Sequence, residues 1–161
     1  MRKLLRVSAV ALALFVGLPL TASASGPVLA SAAGDVLSHT QTLLKTAGGN
    51  STFSAVDQVA LTGGVGGMAT DTYTFTVHPN GSITGHGVET CPSCTIGGRT
   101  GGYTEVFSFT ATANFASFEG HFTVVSATGG LAGLRGQGTF QGAATQSGFS
   151  ETVLLEYHFQ P

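Results

Sequence analysis

The chain is short of charge, and of positive charge above all. Only six of its 161 residues are Lys or Arg, and three of these lie within the first six residues. The rest of the chain has Lys45, Arg99 and Arg135 against eight acidic residues, a net charge of −5 with the histidines neutral. A protein that binds nucleic acid needs a basic surface to neutralise phosphates, so we predict no nucleic-acid partner.

The sequence also lacks the common motifs of catalytic and metal sites. It has no G-x-S-x-G, no G-x-x-x-x-G-K-S/T and no H-E-x-x-H, and its five histidines show no paired zinc-ligand spacing. We therefore predict no metal and no cofactor. The glycine-rich stretch VVSATGGLAGLRGQGTF (124–140) does not lead into a helix whose amides could hold phosphate, so we predict a β-hairpin there.

The N-terminus is typical of an export signal. It reads MRKLLRVSAVALALFVGLPLTASASG, a positive head followed by an apolar run from Val7 to Leu20 and the small residues Ala22-Ser23-Ala24. The run is short for a membrane anchor, which is the alternative. We predict a signal peptide over residues 1–24 and a secreted mature chain. No later run is long or apolar enough to predict a membrane span in that chain.

One β domain is expected beyond the signal. Residues 25–34 are small and turn-rich and are predicted to be a flexible lead, and residues 35–161 to be a single domain. Within it, residues of high β-propensity alternate with a period of two between turn signals. The segment 37–46 fits either a strand or a short helix. Seven further segments read as strands: 53–61, 71–77, 82–89, 103–112, 118–124, 136–141 and 152–160. Short turns and the absence of intervening helices predict an antiparallel sheet, closed as a barrel or folded as a sandwich.

Cys91 and Cys94 are the only cysteines, in the sequence CPSC. In an exported chain such a pair is expected to be oxidised, so we predict a disulfide that fixes a hairpin turn. A thiol-disulfide exchange site is the alternative, but it needs a helix after the pair, and the sequence that follows is turn-rich.

Carboxylates on apolar strand faces are the best candidates for chemistry. The period of two places Glu105 on the same face as Tyr103 and Phe107, and by the same argument Asp57 and Glu89 face inward. A carboxyl group in an apolar interior has a raised pKa and can act as a general acid or base, so Glu105 is the candidate catalytic residue. The alternative is that these groups pair with an arginine or a tyrosine, or lie in water at strand ends.

Five residues are candidates for binding a ligand: Arg99, Tyr103, Phe107, Arg135 and Tyr157. The aromatic side chains would line the interior, and the two arginines would clamp a carboxylate of the ligand. In the alternative interpretation, each arginine pairs with an acidic residue at a strand end and fixes a turn.

Three segments carry a resemblance to a known family. GGRTGGYTEVFSF (97–109), FTVVSATGGLAGLRGQGTF (122–140) and LLEYHF (154–159) resemble an uncharacterised branch of small bacterial proteins with the allene-oxide-cyclase-like barrel. The resemblance implies an eight-stranded antiparallel barrel, related more distantly to plant allene oxide cyclases and dirigent proteins. It implies no activity, and CPSC is an addition to the pattern.

Three functions stay open at this point. The first is a barrel that binds a small apolar or amphipathic molecule without transforming it. The second is an enzyme of the cyclase or isomerase kind, in which Glu105 exchanges protons with a substrate held in one conformation. The third is a structural or interaction protein whose barrel is filled by its own side chains. The sequence does not indicate an oligomeric state.

Overall fold

Eight antiparallel strands close into one barrel in the computed structural model, which describes residues 26–146 and 148–160. Each strand pairs with the next along the chain, and the last pairs with the first, so the predicted all-β, eight-stranded antiparallel barrel is confirmed. The strands are β1 (Val28–Ala47), β2 (Asn50–Gly63), β3 (Val65–Val77), β4 (Ile83–Ile96), β5 (Arg99–Ala111), β6 (Phe118–Ala127), β7 (Leu134–Thr145) and β8 (Gly148–Phe159).

The strand β1 begins earlier than the sequence predicts. Val28 lies opposite Tyr157 of β8, and this pairing continues to Asp35 opposite Ser150. The flexible lead predicted over residues 25–34 is therefore wrong from Val28 onward. The ambiguous segment 37–46 is strand throughout. The predicted signal peptide lies outside the described residues.

Alternation along each strand sends one set of side chains into the barrel. In β5, Tyr103 and Glu105 are buried, while Val106 between the inward positions is exposed. Several inward positions are glycine, where the absence of a side chain would leave space inside the barrel. That space is filled instead: a Cβ atom on Gly138 would lie 2.3 Å from the ring of Phe122. Phenylalanine rings thus pack directly onto the backbone of neighbouring strands.

The two ends of the barrel differ. We call the end with the β2–β3, β4–β5 and β6–β7 connections the closed end, because Ile96, Leu131 and Leu134 are fully buried there. Leu131 belongs to a short 3-10 turn within the glycine-rich stretch 124–140, which is the β6–β7 hairpin predicted from the sequence. At the opposite end, which we call the open end, Phe115 and Phe149 remain half-exposed. Access to the interior is therefore from the open end.

Cys91 and Cys94 form the predicted disulfide, but it does not fix a turn. Both residues lie in β4, and the pairing with β5 shifts register between them, so the disulfide closes a bulge within the strand. Gly67 of β3 packs against this bulge, where a Cβ atom would lie 2.6 Å from Sγ of Cys94. A disulfide is typical of proteins in an oxidising compartment. Among the described residues, no helix is long and apolar enough to cross a membrane.

Candidate functional site

The barrel encloses a cavity of about 90 Å³ that is partly open to solvent. Its lining is aromatic, aliphatic and acidic. The aromatic residues are Tyr73, Tyr103, Phe107, Phe109, Phe115, Phe118, Phe122, Phe140 and Phe149. The aliphatic residues are Val36, Val59, Leu61, Val65, Ile96, Val124, Val153 and Leu155. The acidic residues are Asp57, Asp71, Glu89, Glu105 and Glu151. Since an apolar cavity of about 150 Å³ can hold the six heavy atoms of benzene, this one holds about four heavy atoms, and because it is partly open a fifth can extend toward solvent.

Four of the acidic residues form a row across four neighbouring strands. Asp57 of β2 lies opposite Asp71 of β3, Asp71 opposite Glu89 of β4, and Glu89 opposite Glu105 of β5. Residues directly opposite in an antiparallel pair have their Cβ atoms about 5 Å apart, so neighbouring carboxyl groups are close enough to interact. We call these four residues the carboxylate row. Glu151 of β8 lines the same cavity from the other wall.

Two members of the row accept hydrogen bonds from tyrosine hydroxyls. Tyr73 donates to Oδ2 of Asp57 at 3.0 Å, and Tyr103 donates to Oε1 of Glu89. Half-buried His39, on β1, places Nδ1 2.6 Å from Oδ1 of Asp57. The expectation that inward carboxyl groups pair with tyrosine is met at these two positions, and Asp57 additionally contacts a histidine.

The remaining acidic side chains have no tyrosine or histidine partner among the described residues, although Asp71 shares a hydrogen bond with Glu89. Oδ1 of Asp71 is enclosed and makes no hydrogen bond. Within the described part of the chain, no donor forms a hydrogen bond to the carboxyl group of Glu105 or Glu151. No lysine or arginine of residues 26–146 and 148–160 lines the cavity. The cavity therefore has more acceptors than donors.

Burial and mutual repulsion raise the pKa values of Asp71, Glu105 and Glu151. Burial, and then the charge of Glu89, raise the pKa of Asp71 and of Glu105 well above the ordinary carboxyl range. The same causes raise the pKa of Glu151 to about 7. Members of the row thus retain protons at a pH at which exposed carboxyl groups are ionised.

The pKa values of the hydrogen-bonded members rise against opposing effects. Burial raises the pKa of Asp57, while the charge and hydrogen bond of His39 lower it. Burial also raises the pKa of Glu89, while the hydrogen bond from Tyr103 lowers it. These two are the members best able to hold a negative charge, because donors already stabilise their ionised forms.

Three of the site residues predicted from the sequence come together in the cavity. Tyr103, Glu105 and Phe107, on alternate positions of β5, all line it. Sequence parity therefore identified one wall of the site correctly as inward-facing.

The other three predicted ligand-binding residues lie away from the cavity. The exposed Arg99 lies at the closed end, with its guanidinium carbon 4.0 Å from the ring centroid of Phe159. Nη1 of the exposed Arg135 donates to the carbonyl oxygen of Leu134 at 3.4 Å. Tyr157 is buried at the closed end and does not line the cavity. Within the described residues neither arginine forms an ion pair with an acidic side chain, so the pairing expected in the alternative interpretation is not observed either.

Asp71 and Glu151 were missed as site residues, although both carry a readable signal. Asp71 precedes Tyr73 and Phe75 at the same parity, and Glu151 precedes Val153 in the same way. Asp71 begins a segment that the sequence predicts as a strand, and Glu151 lies just before another, so alternation could not tell a strand end in water from the interior. Both strands start earlier than predicted, and the inward pattern already includes Ala69 and Phe149.

Phe115 lies across the open end of the barrel. It follows Asn114 in the β5–β6 connection, and both adopt left-handed backbone conformations, with φ of 54° at Phe115. A bulky residue rarely adopts this conformation, so packing must hold it there. Its ring contacts the rings of Phe75, Phe109 and Phe149, which belong to three different strands. The mouth of the cavity is therefore narrowed by an aromatic side chain on a loop.

The described residues contain no group of three or more His, Cys, Asp or Glu side chains that could hold a metal ion. The members of the carboxylate row lie side by side on four adjacent strands.

The comparison with known proteins bears on the fold. No protein-family model and no curated protein matches the chain. A solved structure is similar: the crystal structure of a protein with unknown function from the DUF3224 family of Shewanella oneidensis MR-1, with a TM-score of 0.63 and 16% sequence identity. The match covers 84% of this chain and 99% of that one. The predicted kinship with the allene-oxide-cyclase-like superfamily stays a prediction. The chain is thus similar in fold to a DUF3224 protein whose own function is unknown.

Proposed function

We propose that this protein binds a small amphipathic molecule inside its barrel without transforming it. The observation that carries the proposal is the cavity of about 90 Å³, which combines an apolar lining with a row of carboxyl groups. A barrel built only for stability is expected to bury apolar side chains, because each buried polar group without a partner costs free energy.

The order of the side chains along the barrel supports an amphipathic ligand. From the open end inward, aromatic side chains such as Phe115 and Phe149 come first, and the row that includes Asp71 and Glu89 follows near the middle of its strands. Beyond the row, Ile96 helps to close the far end. A molecule that enters at the open end would bring its polar group to the carboxylate row and leave its apolar part among the phenylalanine rings.

We also propose that the protein works outside the cytoplasm. The export-type N-terminus predicted from the sequence and the Cys91–Cys94 disulfide support this location. The ligand would then be a molecule met in the periplasm or the medium.

Titration with small probes tests the binding function. We would follow proton–nitrogen correlation spectra of the mature chain with n-butylamine and with 1-butanol, both of which are small enough for the cavity. We expect signals of cavity residues to shift with dissociation constants between about 3 μM and about 1 mM. The lower value is the limit set by about 1.5 kcal/mol for each of five heavy atoms, and the higher value corresponds to about half of that energy. No shift of cavity signals with either probe would contradict the function.

A pair of variants on one strand provides the control. Val153 lines the cavity, and Leu154, the next residue of β8, is 53% exposed on the outer surface. Val153→Phe adds a ring inside the barrel and should weaken binding by about tenfold or more, whereas Leu154→Phe should leave it unchanged. Equal binding by the two variants would place the probes on the outer surface.

A second candidate function is proton-transfer catalysis of the isomerase or cyclase kind, and it is favoured by Glu105. Burial and the neighbouring Glu89 raise the pKa of Glu105 well above its ordinary value of 4.5, so its protonated carboxyl group can donate a proton to a bound unsaturated molecule. Glu105→Gln should then abolish turnover of any substrate found while the fold persists. Unchanged turnover would exclude Glu105 from the mechanism.

A further inference from the structure

The acceptors left without donors indicate the chemistry of the ligand's polar group. Resting on the binding function proposed above, we propose that this group is a primary ammonium ion, held by Asp71 and the adjoining carboxyl groups of the cavity. The ligand class is thus a small aliphatic or aromatic amine.

Asp71 is the residue on which the inference depends. Its Oδ1 atom is enclosed in the barrel and makes no hydrogen bond, although the side chain lines the cavity. A buried acceptor without a donor costs about 1–3 kcal/mol, so a ligand that supplies the donor recovers that cost on binding. An ammonium group has three N–H donors and no acceptor, which matches a site rich in acceptors.

The neighbours of Asp71 extend the same preference. Glu105 and Glu151 line the cavity, and no donor among the described residues forms a hydrogen bond to their carboxyl groups. Glu89, opposite Asp71, already accepts from Tyr103. An ammonium ion bound at Asp71 would thus lie beside further carboxyl groups that line the same cavity.

The distribution of positive charge excludes the protein's own cations from this role. Lys45, Arg99 and Arg135 are exposed and do not line the cavity. His39 contacts Asp57 alone within the row. An anionic ligand would be repelled by those carboxyl groups that are ionised, and no lysine or arginine of the described residues lines the cavity to offset that repulsion. A neutral alcohol has one donor and would satisfy one acceptor. When the ammonium ion binds, a protonated carboxyl group releases its proton to solvent, so that the interior gains no net charge.

Matched probes decide between an amine and a merely amphipathic ligand. We would titrate the mature chain at neutral pH with n-butylamine, 1-butanol and propionate, each of which has five heavy atoms. We expect n-butylamine to bind at least about fivefold more tightly than 1-butanol, because a hydrogen bond between charged groups is about twice as strong as one between neutral groups. Propionate should bind most weakly, because no lysine or arginine of the described residues lines the cavity.

If n-butylamine binds less than about fivefold more tightly than 1-butanol, this inference is overturned. The proposed binding function stays intact in that case, provided that 1-butanol binds. Failure of every probe would overturn both. The two proposals thus fail in distinguishable ways.

Two neutral variants locate the ammonium site. Asp71→Asn keeps the shape of the side chain and should weaken n-butylamine binding at least about fivefold while changing 1-butanol binding by less than about twofold. Glu119→Gln, at an exposed position of β6, is the control and should change neither. If Asp71→Asn does not fold, Glu105→Gln gives the same comparison. Unchanged amine binding in whichever of the two variants folds would overturn the assignment.

Discussion

The acidic interior should make the barrel most stable at mildly acidic pH. Burial and Glu89 raise the pKa of Glu151 to about 7 from an ordinary value of 4.5. A carboxyl group whose pKa is higher in the folded state binds its proton more tightly there than in the unfolded chain. Its contribution to stability is complete below about pH 4.5, declines as the pH rises, and is lost above about pH 7.

The size of the effect follows from the two pKa values. Each pH unit between 4.5 and about 7 corresponds to about 1.4 kcal/mol for one group, so Glu151 alone contributes at most about 3 kcal/mol. Burial also raises the pKa of Asp71 and of Glu105, so both act in the same direction. A loss of about 3 kcal/mol is a large part of the stability of a domain, which is typically about 5–15 kcal/mol.

Urea unfolding at a series of pH values between about 4.5 and 8 measures the effect. Wild-type stability should fall across this range, and Glu151→Gln should remove up to about 3 kcal/mol of the fall. Glu156→Gln changes an exposed position of the same strand and serves as the control. Wild-type stability that rises or stays constant with pH, or a Glu151→Gln profile as steep as that of the wild type, would refute the reasoning.

Two further changes test the packing of the barrel. Tyr103→Phe removes the donor to the buried Glu89. It should lower the free energy of unfolding, measured with urea, by about 1–3 kcal/mol at neutral pH and by less at acidic pH. A loss of stability that does not depend on pH would contradict the role given to this hydrogen bond. Gly85→Ala places a Cβ atom against the ring of Phe109 and should lower the free energy of unfolding by about 1–3 kcal/mol. Adding Phe109→Leu to this variant should restore part of the lost stability. Additive losses in the double variant would show that the ring is not the obstacle.

The barrel was predictable where side chains alternate in size and polarity. In β5, the alternation of Tyr103, Glu105 and Phe107 with small or polar residues gave both the strand and its inward face. In β1, the buried inward residues are Ala32 and Gly34, whose small size leaves no apolar pattern to read. That part of β1 is defined by its pairing with β8, which is a contact between the two ends of the domain.

The candidate site was predictable residue by residue but not as an arrangement. Parity indicates that Asp57, Glu89 and Glu105 face inward, but it does not indicate which residues lie opposite one another. Register depends on turn lengths and on bulges, such as the shift between Gly66 and Thr70 in the pairing of β3 with β4. The row of neighbouring carboxyl groups is therefore visible only in the closed barrel.

A crystal structure of the protein grown with n-butylamine tests the central claim most directly. The account predicts one probe molecule inside the barrel, with its nitrogen within hydrogen-bond distance of Oδ1 of Asp71 and its carbon chain directed toward Phe115 and Phe149 at the open end. A cavity that contains only water, at a probe concentration that saturates any site, would contradict the claim that the interior is a binding site.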